Sequence, residues 1–110
     1  MVFTFHGCGG PSNYVPMEKA AGKDAVVVRA AGITPDGCWT YSGSGDDVKF
    51  FDAMLAELES KRCVDTSRIF STGYSSGAWL INTLECARGE KLRATGTVSG
   101  GVVGDRGKSL

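Results

Sequence analysis

The chain has 110 residues, with 12 Lys and Arg against 12 Asp and Glu, one histidine, and 42% hydrophobic and 22% charged residues. Balanced charge removes the electrostatic case for a nucleic-acid or anionic-membrane partner, and ordinary hydrophobic content argues against disorder. The length allows one domain, burying about two-thirds of its unfolded surface, and no apolar run approaches the ~18 residues of a membrane span.

Strand-like and helix-like segments alternate along the chain, which predicts an α/β domain with a mainly parallel sheet of about four strands and flanking helices. Val2 to Phe5 reads as a short strand, ended by His6-Gly7-Cys8-Gly9-Gly10-Pro11. A short helix is expected over Met17 to Ala21, then a strand over Ala25 to Ala30, whose unbroken Ala/Val character suggests a central position buried on both faces. A polar loop from Ala31 to Gly45 carries Trp39 and Tyr41. Asp46 and Asp47 suit a helix N-terminus, as caps and as charges opposing the dipole. Val48, Phe51, Leu55 and Leu58 follow at helical spacing, with Glu57 and Lys61 as an i,i+4 pair on the wet face. Val64 to Ser67 reads as a turn, Arg68 to Thr72 as a strand, and Ser76 to Ala87 as a helix apolar on most sides and ended by Gly89. Ala94 to Ser99 is a fourth strand weakened by Gly96, and Gly100 to Leu110 a loose tail.

Ligands of open α/β sheets bind beyond the carboxyl ends of the strands, and there the segments His6 to Gly10, the Trp39 loop, Ser75 and Gly100-Gly101 should converge. Gly73-Tyr74-Ser75-Ser76-Gly77 is a G-x-S-x-G sequence between a strand-like and a helix-like run. Such glycines let a strand turn straight into a helix and lift the serine hydroxyl above the sheet, so Ser75 is the candidate nucleophile; its alternative role is a helix cap. In His6-Gly7-Cys8-Gly9-Gly10, glycines can turn backbone N–H groups toward a developing oxyanion. The candidate donors are Ser76 N–H and that of Cys8 or a neighbouring glycine. His6 has two readings: a buried support of this loop, the favoured one, or the base for Ser75. Asp46 and Asp47 are only nominal triad acids, and Asp105 has no histidine after it. Trp39 and Tyr41 could stack on substrate at the rim or pack beneath their own loop.

Cys8, Cys38, Cys63 and Cys86 form no C-x-x-C pair, and with one histidine no structural zinc site or other metal is expected. The even count suggests two disulfides and an oxidising compartment, with all three pairings open and four reduced thiols as the alternative. Met1 runs directly into the first strand without a charged n-region or a long apolar segment, so no signal peptide is expected within the chain. The expected location is therefore extracellular, with any signal upstream.

Taken together, His6-Gly7-Cys8-Gly9-Gly10, the Asp47-Val48-x-Phe50 helix start, Cys63-Val64-Asp65 with Arg68-Ile69-Phe70, Thr72 to Gly77 and Leu84-Glu85-Cys86 resemble the secreted esterases that include feruloyl esterases, acetyl xylan esterases and polyhydroxybutyrate depolymerases, broadly carbohydrate esterase family one. The resemblance covers Val2 to about Gly101. It implies an α/β-hydrolase fold, no cofactor, Ser75 as nucleophile, and an oxyanion hole formed by the Cys8 region with Ser76. It also implies disulfides Cys63–Cys86 and Cys8–Cys38. Ala78 departs from the pattern, standing where a second glycine commonly follows the elbow. In this fold the acid and then the histidine follow the serine, so residues 1–110 are expected to form one incomplete hydrolase domain, with oxyanion loop 6–10 and elbow 73–77. The implied function is hydrolysis of feruloyl or acetyl esters of plant polysaccharide, or of hydroxyalkanoate polyesters, with the chain alone weakly active or inactive. The alternatives are a minimal esterase using His6 as base and a non-catalytic binding or structural module. Exposed sheet edges would favour self-association.

Overall fold

The computed structural model describes residues 1–10, 21–41 and 44–101. Four parallel strands, β1 (Val2–Phe5), β2 (Val27–Ala30), β3 (Phe70–Tyr74) and β4 (Ala94–Val98), form one sheet in the order β2-β1-β3-β4. Parallel neighbours need crossover connections, and two long helices supply two of them. Helix α1 (Asp46–Lys61) joins β2 to β3, and α2 (Ser76–Arg88), extended by a 3-10 turn over Gly89–Lys91, joins β3 to β4. The short helix expected over Met17 to Ala21 lies, except for its last residue, outside the described residues, as does the tail beyond Gly101 with Asp105.

Strand alternation sends Phe3 and Phe5 to the face that receives the helices. There they form one core with Val48, Phe51 and Leu55 of α1 and Leu80, Ile81 and Leu84 of α2. Phe3 meets Phe51 edge-on, with centroids 5.1 Å apart. Burying each such side chain contributes roughly 1.5–3 kcal/mol against the exposed state. The apolar breadth of α2 follows from its position, since it packs on β1, β3 and β4 and also against α1.

β2 is not central. It is an edge of the described sheet, with Arg29 exposed and Val26 just before it 61% exposed. Small apolar residues suit a pleated backbone whether or not both faces are covered, so the run reports strand character and not position. The central strands are β1, with all four residues buried, and β3. At the amino ends of the strands, Val2, Val26, Cys63, Phe70 and Thr72 line a groove of about 600 Å³, away from the rim that carries Ser75.

The expected Asp46 and Asp47 do fall in the first turn of α1, but neither caps it, and Gly45 occupies the cap position. Asp47 Oδ2 instead accepts from Thr40 N and Thr40 Oγ1 at 2.6 and 2.7 Å, which ties the Trp39 segment to the helix start. Asp46 pairs with Lys49, and Glu57 with Lys61, both on the exposed face.

Asp52 joins the two helices. It accepts from Arg88 Nε and Nη2 at 2.7–2.9 Å and from Lys91 Nζ at 3.1 Å. The Arg88 hydrogen bonds, with Lys91 adding to them, hold its carboxyl below the usual carboxylate range. A lowered folded value means that the unfolded chain takes up the proton first. The stabilisation is therefore complete above about pH 4 and is lost as pH falls through the folded value. Asp52→Asn should lower the urea midpoint at neutral pH, and the gap from the unsubstituted chain should narrow as pH falls through the folded value of Asp52.

Candidate active site

Ser75 follows β3 directly and precedes α2, with φ 53° and ψ −119°. A positive φ is costly for a residue with a Cβ, and it persists here because the packing on either side over-determines it. A Cβ on Gly73 would stand 2.6 Å from the carbonyl carbon of Gly77, and one on Gly77 would stand 2.6 Å from His6 O and still closer to Phe5 O. Both glycines of the pentapeptide are thus required by contact. Strand and helix backbones touch each other, and the helix start rests on the carbonyl end of β1.

The segments expected to share a rim do share it. Ser75 N donates to Val98 O at 2.9 Å at the end of β4, and a Cβ on Gly7 would lie 3.3 Å from Ser75 Cβ and 3.0 Å from the Tyr74 ring. Gly9 N donates to Asp36 O at 2.9 Å, bringing in the loop that carries Trp39. Ser75 is half-exposed, whereas Ser76 is buried and its Oγ finds no partner among the described residues.

His6 is 2% exposed, and both ring nitrogens are committed to backbone. Nε2 accepts from Gly32 N at 2.9 Å, and Nδ1 lies 2.6 Å from Gly7 O. Gly32 offers only a donor and Gly7 only an acceptor, so the network assigns the neutral Nδ1–H tautomer. No lone pair remains to take a proton from Ser75, which removes the geometry that the reading of His6 as a base needs. The imidazole instead joins the 6–10 loop to the segment around Gly32.

Trp39 belongs to the same knot and not to a substrate surface. It is 2% exposed, its Nε1–H donates to His6 O at 2.8 Å, and its ring meets Phe5 edge-on at 5.2 Å and His6 at 4.9 Å. An indole buried this deeply needs an acceptor for its N–H, and the carbonyl at the end of β1 supplies one. Tyr41, the other aromatic expected at the rim, is 41% exposed and packs beside Trp79 of α2.

Cys8 and Cys38 form a disulfide with Cα atoms 4.1 Å apart, adding a covalent link between the same two loops. The pairing Cys63–Cys86 is overturned: both are free, exposed thiols. Cys63 lines the groove at the amino ends of the strands, while Cys86 lies on α2. A disulfide requires Cβ atoms that face one another, a condition that positions near two element ends do not ensure. Among the described residues no group of three or more His, Cys, Asp or Glu could hold a metal ion, and no helix is long and apolar enough to cross a membrane.

No family model matches the chain. Its homologues are feruloyl esterases. The protein named "Probable feruloyl esterase C" from Aspergillus terreus is 33% identical over 113 aligned residues, and the one of the same name from Aspergillus niger is 35% identical; each alignment covers 94% of this chain. Feruloyl esterase D of Neurospora crassa is 39% identical over 71 residues, 62% of this chain and 24% of that protein. The chain spans about two-fifths (41%) of the length of the two Aspergillus proteins. Among solved structures, an acetyl xylan esterase from Aspergillus awamori superimposes with a TM-score of 0.83 at 24% identity, over 98% of this chain and 45% of its own. The α/β fold read from the sequence is therefore the fold observed.

Alkylation of the folded, unreduced chain checks the thiols. Iodoacetamide should modify Cys63 and Cys86 and spare Cys8 and Cys38 in peptide mass maps; a Cys63–Cys86 cross-linked peptide would contradict the structure. Reducing Cys8–Cys38 should cost about 3–4 kcal/mol of stability on the chain-entropy view of a loop this long, measured by urea unfolding.

Proposed function

We propose that this chain carries the nucleophile and oxyanion elements of a serine esterase acting on ester groups of plant polysaccharide. The observation that carries the reading is the conformation of Ser75, a half-exposed serine at φ 53° held between two touching glycine backbones at the carboxyl rim of a parallel sheet. A helix cap needs no such strain, and Ser75 makes no side-chain cap bond to α2. The feruloyl esterase relatives support the ester and the polysaccharide, and the single disulfide supports an extracellular setting.

In the proposed reaction Ser75 Oγ attacks the ester carbonyl carbon and gives up its proton to a base. The carbonyl oxygen takes the negative charge and accepts hydrogen bonds from backbone N–H groups. Gly9 N–H is already used by Asp36 O, so Cys8 N–H and Ser76 N–H are the proposed donors. Collapse of the tetrahedral intermediate expels the alcohol, which takes a proton, and leaves an acyl group on Ser75; water then releases the acid and restores the serine. His6 is the one histidine in the chain and both its nitrogens are occupied, so the proposed histidine base comes from outside these 110 residues. Residues 1–110 are thus proposed as a single, incomplete catalytic domain.

Prolonged treatment with a fluorophosphonate at alkaline pH should place the adduct on Ser75 and not on Ser76, read by peptide mass spectrometry. Ser75→Ala should remove whatever p-nitrophenyl acetate hydrolysis exceeds buffer, a residual rate without a base being on the order of 10³–10⁴ over water at most. A folded chain left unlabelled at Ser75 would reject the reading in favour of a non-catalytic module.

A further inference from the structure

Tyr41 and Trp79 have no part in this chemistry, and neither is consumed by the core. Tyr41 is 41% exposed, Trp79 is partly exposed, and their rings stand 5.7 Å apart at an interplanar angle of 37°. Trp79 lies one helical turn after Ser75, its N–H donating to Ser75 O at 3.1 Å. Helical side chains lean toward the N-terminus, so the indole covers the turn that begins at Ser75.

The exit of β4 links the same two residues. Val98 O accepts from Ser75 N, and three residues on, a Cβ at Gly101 would lie 3.1 Å from Cζ2 and Cη2 of the Trp79 indole. Glycine therefore lets the backbone lie directly against the ring. Asn82 Nδ2 donates to Gly101 O, and Thr83 Oγ1 is 3.1 Å from Tyr41 O and 3.2 Å from Trp79 O. The segments carrying both rings are thus pinned to α2, which holds the aromatic pair in place beside the nucleophile.

The surroundings indicate what such a pair would bind. An acyl group calls for a concave site that encloses most of its surface, whereas these rings lie open on the rim. The amide of Asn82 and the hydroxyl of Thr83 border the backbone of the same segments. A pyranose offers the complement: an apolar C–H face for the rings and hydroxyls for the polar border. The geometry points to Tyr41 and Trp79 as a sugar-binding platform that holds the polysaccharide side of the ester beside Ser75. Its place in a reaction rests on the esterase reading; its detection does not, because binding is measured without turnover.

The experiment is a xylotetraose titration of the ¹⁵N-labelled 110-residue chain. The chain has two indoles, and that of Trp39 is buried on His6 O, so it serves as an internal reference. The Trp79 Nε1–H resonance should move saturably while that of Trp39 stays in place. Trp79→Ala and Tyr41→Ala should each weaken binding by about tenfold, as loss of an aromatic contact does. If Trp79→Ala fails to fold, Tyr41→Ala carries the comparison, with the Trp39 resonance reporting the fold. Movement of Trp79 with ferulate and not with xylotetraose would overturn the platform in favour of an acyl site; no movement with either would overturn it outright. Fluorophosphonate labelling keeps the two readings apart. A labelled Ser75 with a silent Trp79 rejects the platform alone, and a responding Trp79 with an unlabelled Ser75 rejects the hydrolase reading while the platform stands.

Discussion

The rim of this molecule depends on a contact that contains no side chain. Gly77, at the start of α2, lies against the carbonyl groups of Phe5 and His6 at the end of β1, and Gly73 of β3 lies against Gly77. A methyl group at either position would push the helix away from the sheet. That close seating sets the direction in which the chain leaves β3, forces the left-handed conformation on Ser75, and puts the first turn of the helix beside the 6–10 loop. Free N–H groups at a helix start form an electropositive end, so the same seating directs a partial positive charge at the rim.

A second knot surrounds it. The neutral His6 imidazole joins Gly7 to Gly32, Trp39 caps the carbonyl of His6, Asp36 receives the Gly9 N–H, and Cys8–Cys38 closes the arrangement covalently. A loop of small residues has little side-chain packing of its own to define its shape. Polar groups that would cost about 1–3 kcal/mol each if buried unpaired are instead used to fix that shape. The one histidine of the chain thus serves to position backbone, and both its ring nitrogens are used in doing so. The proposed oxyanion donors and the proposed sugar platform extend outward from these two knots, one toward β1 and the other toward the exit of β4.

Local patterns were legible where one physical cause dominates. The period of Val48, Phe51 and Leu55 located α1, and the Gly73 to Gly77 spacing located the strand-to-helix turn. Strand boundaries shifted by a residue or two, as over Phe70–Tyr74, because ladder bonds depend on neighbours and not on the segment itself. β2 looked central and is an edge, because an Ala/Val run has the same composition in either place. Asp47 looked like a cap and instead holds Thr40, since a carboxylate beside a helix start takes whichever donor the fold brings nearest. Residue type likewise leaves Trp39 open to a place at the rim or beneath its own loop, because an indole tolerates burial or exposure and its partners decide which.

By itself the sequence determined the α/β alternation, the turn at Ser75, the glycine loop after β1 and the rim on which they meet. Each of these follows from backbone sterics or from hydrophobic period, and both act over a few residues. Only the tertiary structure decided that His6 is a neutral brace, that Trp39 lies inside and Trp79 at the surface, and that Cys63 and Cys86 remain thiols. Those outcomes rest on which groups come into contact across long stretches of chain, a matter of packing geometry that residue type alone leaves open.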